Sequence, residues 1–524
     1  MNAETLTLLL SISIFAPLVG AILLPLFQDS AAKVISLIFM LIPLGLSLGA
    51  MIMLGLDPNA MELATNGYFG FTELSWFGMS GYDVKYMVGV DGISAFMILL
   101  AALLFPLMAI YTWGTIKKQE KMFYIMVLLL ETGVIGFFAS LDMMLFYIFF
   151  ELVLIPTSFL IGIWGDENRG AAALKFFIYT LVGSLVMLIA IIYMGINAGV
   201  TQGFELTTDY FLIQEAIKSG TLPSFTEDIQ WWLFLGFAIS FAIKAPVFPV
   251  HTWQAQAYTS SSTTGSVILA ALLSKMGAYG FLRFCLPLFP AVVDDFAPMM
   301  AILGVISIIY GAYMATVQKD LKKLVAYSSL SHMGFIILGI FAVQQVSVSG
   351  AVLQMLAHGV STAALFIMVD MMEQRYGSKN IEDFKGLAKQ APAFTTLFMI
   401  TVMASVGLPG LSGFVGEFMI MTGAFSSSLF GSGLTVFAAT GVVLAAIYLL
   451  NMFRKVMFGP ESNEAATFNE PNRREYSVML PMVILMFWLG LYATPFLKPI
   501  NQGTKQLIEQ QAEMPESLSV VEEK

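Results

Sequence analysis

Fourteen apolar runs of roughly 20 residues follow one another along the chain, the length a helix needs to cross the hydrocarbon core of a bilayer. They lie at about 5–27, 31–54, 88–113, 122–139, 142–164, 176–196, 231–255, 264–286, 296–317, 324–343, 350–372, 394–421, 429–453 and 477–497. A soluble fold cannot hide so much oily surface. Composition agrees: 58% of the residues are hydrophobic and 11% charged, against about 25% charged in a soluble domain. The expected fold class is an all-α integral membrane protein of about 14 transmembrane helices. The longest connections, 55–87 and 197–230, leave no room for a soluble domain, and the tail from Lys498 reads as short and polar. The first run lacks a basic flank and a small-residue cleavage site, so it reads as a retained helix, not a cleaved signal.

Lys and Arg test this count, because they favour the cytoplasmic loops. Alternate loops hold 17 of the 25 basic residues, among them Lys117, Lys118, Lys121, Lys319, Lys322, Lys323, Arg473 and Arg474. The opposite loops hold five and are acidic, as in "AVVDDFAP". An even helix number with both termini on the outer side fits this division. The net charge of −10 comes mostly from loop acids and does not point to nucleic acid. A single cysteine, Cys285, excludes a disulfide framework and any cysteine-held zinc or iron–sulfur centre on this chain. No cofactor or metal is expected on it.

Three basic residues remain, all inside expected helices: Lys244, Lys275 and Arg283. Arg283 is near an outer end, where a long side chain can snorkel to water. The two lysines sit about 11–13 residues from a helix end, roughly 16–20 Å deep at 1.5 Å per residue. Glu131, Glu151, Glu417 and the three histidines, His251, His332 and His358, also fall in or beside apolar runs. A charge at the bilayer centre costs about 3 kcal/mol on insertion scales, so each such group needs a partner, water or a task. Helix-to-helix pairing would account for one pair. A set of groups spread over seven helices, each able to gain and lose a proton, describes a proton wire. Movement of Glu151 relative to Lys244 would switch whether that lysine holds its proton. A haem between His332 and His358 is the competing use of those two residues, with nothing else to support it.

Prolines accompany the charges. Pro246 and Pro249 follow Lys244, and "VGLPGLSGFVGEF" places Pro409 and four glycines ahead of Glu417. Proline removes a backbone donor and kinks or opens a helix, and the freed carbonyls of a membrane segment must face water or protein. Two breaks beside buried charges point to discontinuous helices around an ion path. They fall on the seventh and twelfth runs, five apart, an odd offset that implies two five-helix units of opposite orientation. The expected organisation is 1–121 (helices 1–3 with the outer loop 55–87), 122–286 (first repeat), 296–458 (second repeat) and 477–524 (last helix and tail). Asp91, in "VGVDGISAF", reads as a helix cap, and "SWFGMSGY" at 75–82 as an outer surface loop.

Six ordered motifs, "VGVDGISAF", "LDMMLFYIFFELVLIPTSFLIGIWG", "KAPVFPVHTW", "LLSKMGAYGFLRFCLPLFP", "QKDLKKLVAYSSLSHMGF" and "LPGLSGFVGEF", resemble the antiporter-like subunits of respiratory complex I, most of all the M type, called chain 4 in organelles. The resemblance implies two inverted five-helix repeats with broken helices 7 and 12, a bacterial inner membrane or an equivalent one, and neighbouring L and N subunits. It implies roles as well: Glu151 and Lys244 as a coupled pair, Lys275 as central relay, His332 and His358 continuing the path, and Glu417 as terminal group. Glu131 and His251 are lesser candidates. Electrons would pass elsewhere in an NADH–quinone oxidoreductase, with no redox centre here. Glu417 favours the M type, since the L, N and Mrp D-type subunits usually place lysine there.

One departure stands out. The M-type pattern after "HxW" usually has a Pro-Asp pair and an Ala-Pro-Thr; here Ala255, Gln256 and Ser262 stand in place of the first proline, the aspartate and the second proline. A carboxylate and two prolines are missing from the loop near the proton entrance, which calls the usual input route into question. The alternatives are a subunit of an Mrp-type cation/proton antiporter or of a membrane-bound hydrogenase, and a membrane-arm spacer that does not pump.

Overall fold

A computed structural model describes residues 3–56, 64, 67–76, 81–166, 168–222, 225–459 and 468–512. Among them, 12 helices are long and apolar enough to cross a membrane. Each answers to one of the apolar runs. The two remaining runs are each broken in two, as Glu227–Lys244 and Gln254–Ser260, and as Pro392–Val406 and Ser412–Phe425. The sixth helix is longer than its apolar run suggests, Arg169–Gln202, because polar residues at both ends continue the helix until Gly203 stops it at φ +83°.

The layering positions the chemistry. The most apolar stretches of Thr263–Leu288 and Gln345–Tyr376 are wholly buried within the protein, and that of Leu321–Phe341 is 94% buried. Asp29–Ile52 and Ser432–Met457 are only 17% and 33% buried and form the outer faces. Lys275, His358 and His332 therefore ride on the three central helices. Thr263–Leu288 carries two π-helical turns, Leu269–Leu273 and Phe281–Cys285, on either side of Lys275. Such turns widen the helix and loosen its ladder, often at functional positions. Gly277 lets this helix touch the end of Glu227–Lys244: a Cβ there would lie 2.5 Å from both Phe241 O and Ala245 N.

Three outer segments differ from their sequence reading. The 55–87 connection is not merely a loop: Phe69–Ser75 pairs antiparallel with Lys85–Val90, and Tyr82–Asp83 pairs parallel with Leu206–Thr207. Of "SWFGMSGY", residues 77–80 lie outside the described residues. The 197–230 connection contains the helix Tyr210–Lys218, capped by Asp209. The tail forms a helix, Thr494–Ala512, anchored by Ser349 Oγ at 2.8 Å from Thr504 Oγ1 and by Phe496 packed on Phe96. Its apolar residues lie on one face only, so its average polarity concealed a docked amphipathic helix.

Candidate functional site: a row of titratable groups through the bundle

The first break is built from the residues around Lys244. Pro246 has no N–H for Ala242 O, and Val247 N takes that carbonyl instead at 2.8 Å. Ile243 O then accepts from the Trp253 indole at 3.0 Å, and Phe248 N donates to Ser307 Oγ at 3.0 Å. The strand of chain between the two half-helices is thus held by side chains, and the helix ends at Lys244 itself. The Lys244 ammonium is 2% exposed, lies 4.3 Å from the Phe150 ring centre and donates weakly to Phe150 O at 3.5 Å.

Phe150 and Glu151 end their own half-helix. Met143–Leu152 and Leu154–Trp164 are interrupted at Val153, where Pro156 cannot donate to Leu152 O. This third break was not anticipated, although "ELVLIP" carries its signal. Glu151 has Ser184 as a polar neighbour and Lys244 as an electrostatic one, but Glu151 and Lys244 make no ion pair within 4.0 Å in the structure. The lysine instead leans on the aromatic ring and carbonyl that precede the glutamate.

Beyond Lys244 the groups connect. Lys275 Nζ, fully buried, reaches Ala270 O at 2.6 Å, Ser274 Oγ at 3.3 Å and His358 Nδ1 at 2.6 Å. The His358 and His332 rings lie 5.4 Å apart, centre to centre. His332 Nδ1 lies 2.8 Å from Glu417 Oε1, and Gln354 Nε2 donates to the same oxygen at 2.9 Å. Both Nε2 atoms, of His332 and His358, are buried without a partner among the described residues.

Glu417 is held by the second break. Gly407 ends Pro392–Val406 at φ +83°, a conformation that disfavours a side chain, and a Cβ there would sit 3.3 Å from Glu417 Oε2. A Cβ at Gly416 would press to 2.7 Å on Gln354 Oε1. The glycines of this motif therefore allow the carboxylate and the amide to meet. Gln354 was missed in the sequence, although it precedes His358 by four residues and so shares its helix face.

Two candidates lie apart from the row. His251 sits in the first break between Phe248 and Tyr310, with ring centres at 5.5 and 5.1 Å, and its Nδ1 has no partner. Glu131 is fully buried with neither oxygen hydrogen-bonded. Arg283 does not snorkel. It is 5% exposed and bonds Asp91 Oδ2 at 2.6 Å, Tyr68 OH at 2.6 Å and Tyr279 OH at 3.0 Å. The segments at the hairpin and before Ser94–Thr112 supply Tyr68 and Asp91, while Tyr279 lies one turn earlier on the same helix. Asp91 also caps, its Oδ1 accepting from Ile93 N and Ser94 N. Burial pushes its carboxyl up, but the Arg283 charge and the Ser94 bonds outweigh that and hold it below the ordinary aspartate value. Nearby, burial raises Asp142 to about 7 despite the backbone and Thr208 bonds it accepts.

Residues 140–458 match the family described as NADH:quinone oxidoreductase/Mrp antiporter, TM. The chain belongs to this family. It is 38% identical over 503 residues to NADH-quinone oxidoreductase subunit M of Rickettsia felis, covering 95% of this chain and 98% of that one. It is 38% identical to NADH-ubiquinone oxidoreductase chain 4 of Chondrus crispus over 84% and 87% of the two chains. Among solved structures, a chain of respiratory complex I from Thermus thermophilus with bound NADH superposes with TM-score 0.82 at 29% identity, over 96% of this chain and 99% of that one. A chain of the Mrp complex from Dietzia sp. shares the fold, with TM-score 0.79 at 19% identity over 98% and 99%. The family expected from the six motifs holds, as does the all-α membrane class expected from the apolar runs.

Proposed function

We propose that the chain is the M-type, proton-translocating membrane-arm subunit of an NADH–quinone oxidoreductase. It moves protons through a relay of Glu151, Lys244, Lys275, His358, His332 and Glu417, driven by quinone reduction elsewhere in the complex. The observation that carries this reading is the run of close contacts from Lys275 through two imidazoles to Glu417, contributed by four separate segments. An imidazole accepts a proton on one nitrogen and releases it from the other. The Lys275 ammonium, 2.6 Å from His358 Nδ1, gives its proton there. The two unpaired Nε2 atoms are left to carry it from ring to ring, and His332 Nδ1 hands it to Glu417 Oε1 at 2.8 Å. Each step moves one proton and leaves no net chemistry behind.

Lys244 is the gate in this scheme. In the structure it is held by the Phe150 ring and carbonyl, not by the Glu151 carboxylate. Approach of Glu151 favours the ammonium and retreat disfavours it, so this pair sets when Lys275 takes up its proton and passes it on. The broken segments near Lys244 and Glu417 each cross the membrane, for fourteen crossings in all, ten of them in two inverted five-helix units, 122–286 and 296–458. Both termini lie on the outer side, in a bacterial inner membrane or an equivalent one. The neighbours are the L and N subunits, and the chain carries no cofactor, metal or redox centre of its own.

An Mrp-type antiporter subunit is the second reading, which the shared fold allows. Glu417, where that family usually has lysine, speaks against it, as does the identity to M-type relatives. A non-pumping spacer would not need the connected buried row. The deciding experiment is Lys244→Ala in the assembled complex: coupled turnover and protons moved per quinone should both fall steeply. Parent-like values for both mean that the chain does not pump by this route.

A further inference from the structure

At the end of the bundle that carries the basic loops, a cavity of about 150 Å³ opens beside the start of Thr263–Leu288. It lies where the chain departs from the M-type pattern: Ser261, Ser262, Thr263 and Thr264 line it, and Asp370 faces them. Thr263 Oγ1 donates to Asp370 Oδ1, while Tyr111 OH donates to Oδ2 at 2.6 Å. Lys322, 3% exposed, lines the same space and donates to Ser261 O at 2.7 Å. Two lining hydroxyls, Ser261 Oγ and Thr264 Oγ1, belong to residues 0% and 1% exposed and have no partner among the described residues. Buried hydroxyls left unpaired cost free energy unless something they can bond enters the space.

A polar line leads inward from this cavity. Ser266 Oγ, two residues past Thr264, bonds Tyr258 O at 2.6 Å. Tyr258 OH reaches Leu269 O at 3.2 Å, at the first π turn, with Ser274 and Gln254 as its polar neighbours. Ser274 Oγ in turn is 3.3 Å from Lys275 Nζ. The helix from Thr263 to Lys275 spans roughly 18 Å at 1.5 Å per residue, and these hydroxyls mark that distance.

We propose that Asp370 is the proton-collecting group of this subunit, taking the place of the loop carboxylate that is absent at Gln256. A proton from water in the cavity neutralises the Asp370 carboxylate. Thr263, Thr264, Ser266, Tyr258 and Ser274, with water, pass one proton on for each they receive, and neutral Lys275 becomes ammonium. Asp370 returns to carboxylate, so one proton has moved and no bond has changed otherwise. The positive end of the Thr263 helix holds the carboxylate ready for the next cycle.

This inference rests on the relay reading, and its test separates the two. In the assembled complex in sealed vesicles, Asp370→Asn keeps the acceptor and the shape but cannot ionise. Coupled turnover and proton movement should fall about tenfold or more, the range of a lost proton-transfer group, while Asp370→Glu stays near the parent. Gln256 lies five residues before Ser261, about 7 Å along its helix. Adding Gln256→Asp to Asp370→Asn should therefore restore most of the rate. Parent-like Asp370→Asn overturns the proposal, as does an assembled double variant with no recovery. Lys275→Ala is measured alongside. If it is dead while Asp370→Asn is normal, only the collecting role fails; if Lys275→Ala is normal, the relay itself fails.

Discussion

Arg283 is a cation that cannot shed its charge, with a side chain 6% exposed at the end of the central helix and Asp91, at 2.6 Å, as its one carboxylate partner among the described residues. Asp91→Asn removes the counter-charge yet keeps an oxygen that can cap Ile93 and Ser94. Breaking a buried ion pair from one side costs about 3–5 kcal/mol, because the remaining charge is left uncompensated. Arg283→Met alone strands the carboxylate and should cost a similar amount, whereas the double variant strands neither. The two single losses should therefore greatly exceed the loss in the double, with a coupling of several kcal/mol. The assay is thermal unfolding of the detergent-solubilised complex carrying each variant, followed through this chain. The acid side supplies a second readout. Asp91 lies below its ordinary value of 3.8 in the folded chain, so its stabilisation is present above that pH and is lost as pH falls through the lower folded value. Asp91→Asn should abolish that acid limb. Additive single losses, within about 0.5 kcal/mol, would refute the view that this pair locks the outer end of the helix.

Trp253→Phe keeps the ring packing but leaves Ile243 O without its donor; it should destabilise the chain by about 1–3 kcal/mol in the same thermal assay. Glu151→Gln should impair coupled turnover far more than Glu131→Gln, because Glu151 couples electrostatically to Lys244 whereas Glu131 touches no partner; equal effects would remove Glu151 as the lysine's switch. Gln354→Leu, which strips one donor from Glu417, should slow coupled turnover by less than Glu417→Gln does, and the reverse order would make the amide the essential group.

Apolar run length and loop charge were enough to find the spans, because bilayer thickness and the cytoplasmic preference of Lys and Arg act on every membrane chain alike. Lys244, Lys275, His332, His358 and Glu417 were legible because a titratable group in an oily run is costly. Their order came only from the family resemblance, since it depends on which central helices touch, and Gly277 and Gly416 set that through contacts between distant segments. The fate of Arg283 was hidden for the same reason: its partner lies 192 residues away. The outer hairpin and the Thr494–Ala512 helix escaped because short strands and a one-sided helix raise average hydropathy little. Asp370 carries no signal of its own in the sequence; the fold alone sets it against Thr263.

The central claim is that protons pass through Lys275 on their way to Glu417, and protons moved per quinone reduced in sealed vesicles, with Lys275→Ala in an assembled complex, tests it most directly. The account predicts assembly at parent level with translocation through this subunit lost and coupled turnover sharply reduced. Unchanged protons per quinone at unchanged turnover would contradict it.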